Sequence, residues 1–259
     1  MVCDGFDGES YKKASAHQKE WGTRVIDELP LTGKERILDL GCGDGVLTER
    51  LAQRVPDGRV IGIDSSWNMI ETARKLEREN LAFRLMDIEM LNFEYQFDVI
   101  FSNATLQWVR DHRKMLQRVY MRTKPGGMIR FNFAAEGNCE NLVRVVREVM
   151  NDSRFLGYFV GFDWPWYFPG LKEYRELLAS FEFRDMRVWY ENADRFFPSA
   201  EEMIRWIDQP CLVPFLANLP DMEKKRFRDA VVGKMIDRTR QVDGRCFETF
   251  RRINVFARK

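Results

Sequence analysis

The chain has 259 residues, 45% of them apolar, which suffices for one sizeable core, and its 41 basic against 40 acidic side chains leave no overall field to hold nucleic acid or an anionic membrane. No apolar run approaches the ~18 residues needed to span a bilayer, and the opening MVCDGFDGES lacks the basic-then-apolar order of a secretory signal. The five cysteines, Cys3, Cys42, Cys139, Cys211 and Cys246, are odd in number and lack a CxxC pair, which argues against a disulfide framework or a zinc site and fits a soluble cytoplasmic protein.

Residues 10 to 29 read as an amphipathic helix in which Trp21, Val25, Ile26 and Leu29 share an apolar face, ended by Pro30 and Gly33. RILDL at 36 to 40 is then a short strand stopped by glycines, and VLTERLAQRV is a helix. The pattern repeats with the strand RVIGID at 59 to 64 and the helix SWNMIETARKLEREN, opened by a serine able to cap it. Further strands are expected at LAFRLMD, FDVIFSN and GGMIRFNF, the last after the turn KPGG. Strands alternating with helices imply an α/β fold with a doubly wound, mostly parallel, Rossmann-like sheet.

After Ala134 the rhythm changes: helical segments and the aromatic block GFDWPWYFPG predict an insertion over the sheet edge. FRDMRVWYENADRF and CFETFRRINVFARK predict two closing strands, separated by a helical stretch at 199 to 240. No repeat or linker divides the chain, so one domain is expected over 1–259. Its parts would be an N-terminal helical lid at 1–33, a nucleotide-binding core at 34–134, and insertions with closing strands at 135–259.

The sharpest pattern is ILDLGCGDG, where a strand enters a helix through Gly41, Gly43 and Gly45. Glycine permits positive φ and close approach of a ligand to the backbone, although an ordinary tight turn looks the same. The GxGxG spacing follows an acidic Asp39 and has Val46 where a dinucleotide motif carries its third glycine. A buried carboxylate beside the turn would repel a diphosphate and attract an ammonium group. Asp64 ends the second strand about twenty residues on, where nucleotide folds place an acceptor for ribose hydroxyls, the alternative being a helix cap. Asp87 closes the third strand, able to accept from an adenine amino group beside the apolar wall of Ile88, or to serve in a surface turn. Together the three strand ends outline a cleft at the carboxyl edge of the sheet that fits S-adenosylmethionine.

The series ILDLGCGDG, GID, MDI, FDVIFSNATLQWV and KPGG resembles the class I S-adenosylmethionine-dependent methyltransferases. NATLQWVRDH at 103 to 112, with the closing stretch from PGLKEYRELL through DGRCFETFRRINVFARK, is similar to the trans-aconitate methyltransferase group, so the resemblance covers nearly the whole chain. It implies a seven-stranded sheet capped by helical insertions, with Asp39, Gly41 and Gly43 at the methionine end of the cofactor. It further implies Asp64, Ser65 and Met69 at ribose and adenine, Asp87 and Ile88 at adenine, and Asn103 facing the methionine moiety and the methyl group. The N-terminal helix of such enzymes folds over the cofactor, which makes Tyr11 and Gln18 candidates for the lid. On the sixth strand, Trp189, Tyr190, Glu191, Asn192 and Ala193 depart from the Trp-Glu-Thr-x-Tyr that relatives tend to show, leaving the particular acid open.

Methyl transfer to a carboxylate needs no general base, because that nucleophile is ionised at neutral pH; the protein's work is alignment and exclusion of water. Neither His17 nor His112 has a recognisable catalytic partner in the sequence, and no catalytic residue is assigned. Gln107 and Trp108 directly follow the fourth strand and are candidates for the acceptor pocket, as are Trp166 and Tyr167 of the aromatic block, which would otherwise clasp the insertion. An arginine is wanted for a carboxylate acceptor, and the sequence offers many. The expectation is methylation of a small-molecule acceptor, most simply a carboxylic acid. Its alternatives are N-, C- or hydroxyl O-methylation, a nicotinamide-dependent oxidoreductase, and a cofactor-binding protein without turnover.

Overall fold

Runs of alternating faces make the sheet: Ile37 and Leu38, Val60 and Ile61, and Val99 and Ile100 send their side chains to opposite sides, and all are buried. Strands covered on both faces in this way are continuous apolar runs rather than alternating ones. The computed structural model describes residues 16–259, with side chains from Lys19 onward apart from Pro210. The first elements are α1 (Ala16–Asp27), β1 (Arg36–Leu40), α2 (Val46–Arg54), β2 (Arg59–Asp64), α3 (Trp67–Arg74) and β3 (Leu81–Leu85). They are followed by β4 (Phe97–Asn103), α4 (His112–Arg122), β5 (Thr123–Ala134) and α5 (Glu140–Met150). Then come α6 (Leu171–Ala179), β6 (Arg184–Asn192), β7 (Arg195–Phe197), α7 (Ala200–Trp206), α8 (Val213–Leu216), α9 (Asp221–Thr239), β8 (Cys246–Glu248) and β9 (Arg251–Arg258).

The seven-stranded sheet has the order β3-β2-β1-β4-β5-β9-β6, parallel from β3 to β5, with β9 antiparallel to both of its neighbours. The chain therefore reverses its direction of travel across the sheet between β1 and β4, and at such a switch point the loops leaving the two strands part and open a crevice. One face packs against α4 and α6 through Met115, Leu116, Val119, Tyr174 and Leu178; the other packs against α1, α2 and α3 through Val25, Ile26, Leu51 and Ile70.

Two expectations are corrected. The closing segments are not two continuous strands: each breaks, giving β6 then β7 and β8 then β9, with β7 and β8 forming a separate antiparallel ribbon. Asp194 sits at the break, accepting from the Phe250 N–H at 3.0 Å and pairing with Arg251, while the Ala193 N–H donates to the Phe250 carbonyl. The helix expected across 66 to 80 stops at Arg74, and Glu77 turns back to accept from the Phe83 N–H at the start of the sheet edge.

The ribbon leads into a third core, built by α5, α7, α8 and α9 from residues such as Leu142, Val145, Met203, Phe215, Phe227 and Val231, and this core also takes in Trp21 of α1. It forms a cap beside the carboxyl ends of the strands. No described helix is long and apolar enough to cross a membrane.

Candidate active site

The loop after β1 turns on three positive-φ glycines, Gly41, Gly43 and Gly45. Gly41 is glycine because a Cβ there would lie 2.0 Å from the Thr105 side chain, whereas a Cβ on Gly43 would meet no protein atom within 4 Å and would project into open space. The turn is tied down from β2: Asp64 accepts from the Gly43 N–H at 3.0 Å and from the Ser66 N–H at 2.9 Å. Ser66, not Asp64, caps α3, through Met69 N–H. Burial holds the Asp64 carboxyl above its ordinary pKa, its backbone hydrogen bonds opposing this.

A cavity of about 620 Å³ opens at the switch point, within the range of small-molecule sites. On the sheet side it is lined by Gly41, Gly43, Asp64, Ser65, Met69, Asp87 and Ile88, and by Ala104 to Arg110 beyond β4 apart from Leu106. On the cap side stand Cys139, Leu142, Phe162, Trp166, Trp206 and Phe250. Trp108 and Trp166, both in its lining, meet edge to face with 5.8 Å between centroids. Beside the turn a smaller pocket, about 50 Å³, is lined by Lys19, Asp39, Asp44 and Asn103 and shares Gly41 and Gly43 with the main cavity. Asp39 is buried there, accepting from the Thr48 hydroxyl at 2.7 Å, and burial lifts its pKa to about 7. Lys19 reaches down from α1 to Asp44 at 2.6 Å.

Most of the expected site residues thus converge. Gln107 lines the cavity but spends its amide on the backbone, donating to the Ala104 carbonyl at 2.7 Å and accepting from Ala134 N–H. Asp87 accepts from Glu89 N–H, capping a short turn at Ile88–Met90. Tyr167 departs from expectation: it is not in the wall of either pocket, its hydroxyl donates to Glu173, and its ring lies 4.6 Å from that of His112. Its N–H, bonded to the Gln107 carbonyl at 2.8 Å, fastens the aromatic block to the loop after β4. Tyr11 and the side chain of Gln18 lie outside the described residues. His112 is sealed in the core between the Leu106 carbonyl and the Tyr174 hydroxyl, and burial lowers its pKa to about 4. Cys42, Cys139, Cys211 and Cys246 are free thiols, and the described residues include no cluster able to hold a metal.

Sequence reasoning missed several lining residues: Trp21, Arg110, Cys139, Trp206, Phe250 and Arg252. One of them carried a signal. In β9 the polar Arg252 and Asn254 alternate with the apolar Ile253 and Val255, and all four are buried, so one face of this strand is a buried polar row.

Residues 37–127 match the family model described as a methyltransferase domain. The chain is 33% identical over 216 residues to a trans-aconitate 2-methyltransferase of Deinococcus radiodurans, covering 82% of this chain and 81% of that one. It is 30% identical over 256 residues to the enzyme of the same name from Delftia acidovorans, covering 91% of each. The chain belongs to the S-adenosylmethionine-dependent methyltransferases, in the trans-aconitate methyltransferase group. Among solved structures it resembles Haemonchus contortus phosphoethanolamine N-methyltransferase 2 in complex with S-adenosyl-L-methionine, with a TM-score of 0.62 and 20% identity over 97% of this chain and 56% of that one. This methyltransferase therefore uses S-adenosylmethionine on a small molecule, which removes the nicotinamide and non-catalytic alternatives. The residues fit that cofactor: the turn has space at Gly43 that a side chain would fill, and the buried carboxylates Asp39 and Asp64, which line the small pocket and the main cavity, are the kind of acceptor that an ammonium and ribose hydroxyls need.

Proposed function

We propose that this methyltransferase esterifies a carboxylate of a small organic acid. The observation that carries the reading is the likeness, along most of both chains, to relatives named trans-aconitate 2-methyltransferases. In this reading one domain supplies three parts: the N-terminal helix as lid, the sheet core for the cofactor, and the insertions for the acceptor. Asp39 with Gly41 and Gly43 holds the methionine end, Asp64, Ser65 and Met69 the ribose and adenine, and Asp87 with Ile88 the adenine. Asn103, in the small pocket with Asp39, faces the methionine moiety. Gln107, Trp108 and Trp166 bound the acceptor space, while Tyr167 supports that wall from behind.

When bound, the cofactor supplies an activated methyl group on a sulfonium. The chain's residues then have to align an already ionised nucleophile and exclude water, effects together capable of roughly 7 to 11 kcal/mol. No proton has to be removed from a carboxylate at neutral pH. This agrees with the state of His112, whose ring nitrogens are both engaged in the core.

The test is to incubate the protein with S-adenosylmethionine and a panel of small acids, amines and phenols, identify products by mass, and treat them with mild alkali. An acid-derived product that releases methanol is expected, with a single-turnover rate at saturating cofactor that stays nearly flat from about pH 6 to 8. A product that resists alkali would overturn the carboxylate reading and leave the methyltransferase assignment standing.

A further inference from the structure

The main cavity has two unlike ends. Among the described residues its charged side chains are Asp64, Asp87, Glu89 and Asp163 against Arg110 and Arg252, so the wall carries more acid than base. Three of the acids end or follow β2 and β3, at the nucleoside end, and both arginines already have partners within the protein. Arg110 pairs with Asp163. Arg252 donates from Nε to Asn132 Oδ1 at 2.9 Å and from Nη2 to the Asn132 carbonyl at 3.1 Å, with its guanidinium 4.7 Å over the Trp21 ring. The side-chain amides of the wall are engaged too: Asn138 donates to Cys139 Sγ and accepts from Arg251 N–H at 3.2 Å, and Asn218 donates to the Tyr158 carbonyl.

Toward the cap the wall is aromatic. Trp166 stacks on Phe168 with 10° between the planes and 5.7 Å between centroids, while Phe250 touches Trp21 at 5.6 Å and Trp206 at 5.4 Å. All five rings line the cavity. Trp166 and Phe168 are only partly buried, so they keep apolar surface that a ligand in the cavity can cover. Rings held by one another in this way are already ordered and lose little freedom when a ligand settles on them.

Resting on the reading of the acceptor as a carboxylic acid, we propose that the acceptor is an apolar monocarboxylic acid, with its single carboxylate at the methyl group and its hydrocarbon body against the aromatic wall of the cap. A carboxylate about to be methylated finds its counter-charge in the cofactor's sulfonium. A second carboxylate would lie among Trp166, Phe168, Trp206 and Phe250 while both wall arginines are engaged elsewhere, and desolvating a charge there without a partner is unfavourable. A hydrocarbon body in the same place covers ring surface that is otherwise wet. The enzyme thereby selects acids by apolar bulk and discriminates against dicarboxylic ones.

The experiment compares butanoate, hexanoate and octanoate with octanedioate, which matches octanoate in length and adds one charge. All are ionised at neutral pH. In the unmodified protein kcat/KM rises by about fourfold for each methylene added until the wall is covered, and octanoate exceeds octanedioate by about tenfold or more. Calorimetry on the S-adenosylhomocysteine complex gives octanoate the lower Kd of the two and a negative heat-capacity change, the mark of apolar burial. Trp166→Ala lowers the octanoate kcat/KM by about tenfold and flattens its rise with chain length, while affinity for S-adenosylhomocysteine stays within about threefold. A kcat/KM independent of chain length in the unmodified protein, or one for octanedioate that equals or exceeds that for octanoate, overturns the proposal even if the variant fails to fold, and leaves the carboxylate reading standing. If no acid of this series or of the wider panel gives an alkali-labile product, the carboxylate reading has failed and takes this inference with it.

Discussion

Gly41 and Gly43 stand two residues apart in the same turn, yet one faces protein and the other faces the cavity. A Cβ at Gly41 collides with Thr105, so Gly41→Ala should lower the melting temperature; Gly43→Val has room in the protein and should abolish cofactor binding with a smaller thermal loss, about that of a strained left-handed residue. Calorimetry with S-adenosylhomocysteine beside thermal unfolding separates the two, and normal binding by Gly43→Val would mean that the turn does not approach the cofactor. Asp64→Ala should weaken binding by roughly 1 to 3 kcal/mol, since it removes both an acceptor and the tie on Gly43 N–H. A folded variant of unchanged affinity would exclude that role. Asp39 adds a pH dependence. Its folded-state pKa of about 7 exceeds the ordinary carboxyl value, so its contribution to stability is present at low pH and is lost as pH rises through 7. Cofactor binding has the opposite sign, because an ammonium favours the ionised carboxylate: affinity should fall about fivefold from pH 7 to pH 6. α-Amino groups themselves titrate near 8, so the profile should peak between, and Asp39→Asn should flatten its acidic limb. A profile with the same acidic limb in that variant would assign the titration elsewhere, Asp64 and the Lys19–Asp44 pair being the charged neighbours. These acidic and glycine positions were legible in the sequence because backbone geometry and charge demand those residue types there. Arg252 was not singled out, since which of many arginines faces a cavity depends on strand pairing that only the assembled sheet decides.

At the scale of elements, the breaks between β6 and β7 and between β8 and β9 matter more than the strands themselves. Continuous pairing would have extended the sheet; instead Asp194 satisfies the Phe250 N–H, and the ribbon turns off to carry the cap. Nothing local in FRDMRVWYENADRF announces that turn, because the partner of Asp194 is more than fifty residues away. The parallel strands were read well for the opposite reason: each is a short apolar run closed by its own loop signal. The ribbon's second role is to cap α5. Cys139, at positive φ, offers that helix no side-chain cap, and Glu248, fully buried, takes its place by accepting from Asn141 N–H at 3.2 Å and Leu142 N–H at 2.9 Å. Glu248→Ala would leave those donors buried and unsatisfied, and should cost about 2 to 3 kcal/mol in urea unfolding, with Glu248→Gln, which keeps an acceptor oxygen, costing less. An alanine variant within about 0.5 kcal/mol of the unmodified protein would show that the cap does not depend on it.

The whole molecule has three cores, two against the faces of the sheet and one within the cap, and the cavity lies where the cap meets the sheet's carboxyl edge. Trp21 belongs to the cap core although its helix also packs on the sheet through Val25 and Ile26, so α1 joins the two bodies. A ligand bridging that seam should therefore stabilise both sides together. At a concentration a hundredfold above its Kd, S-adenosylhomocysteine should add about 2.7 kcal/mol, which for a chain of this size raises the melting temperature by roughly 5 to 10 °C. NAD should add nothing. Hydrogen exchange locates the effect: protection is expected at the glycine turn and also in the cap around Phe162, Trp166 and Trp206, all of which line the cavity. If the ligand protects the strand ends and leaves the cap segments exchanging as before, then the cofactor binds to the sheet alone, the cap closes only over the acceptor, and adding a carboxylic acid to the cofactor complex should produce the missing protection.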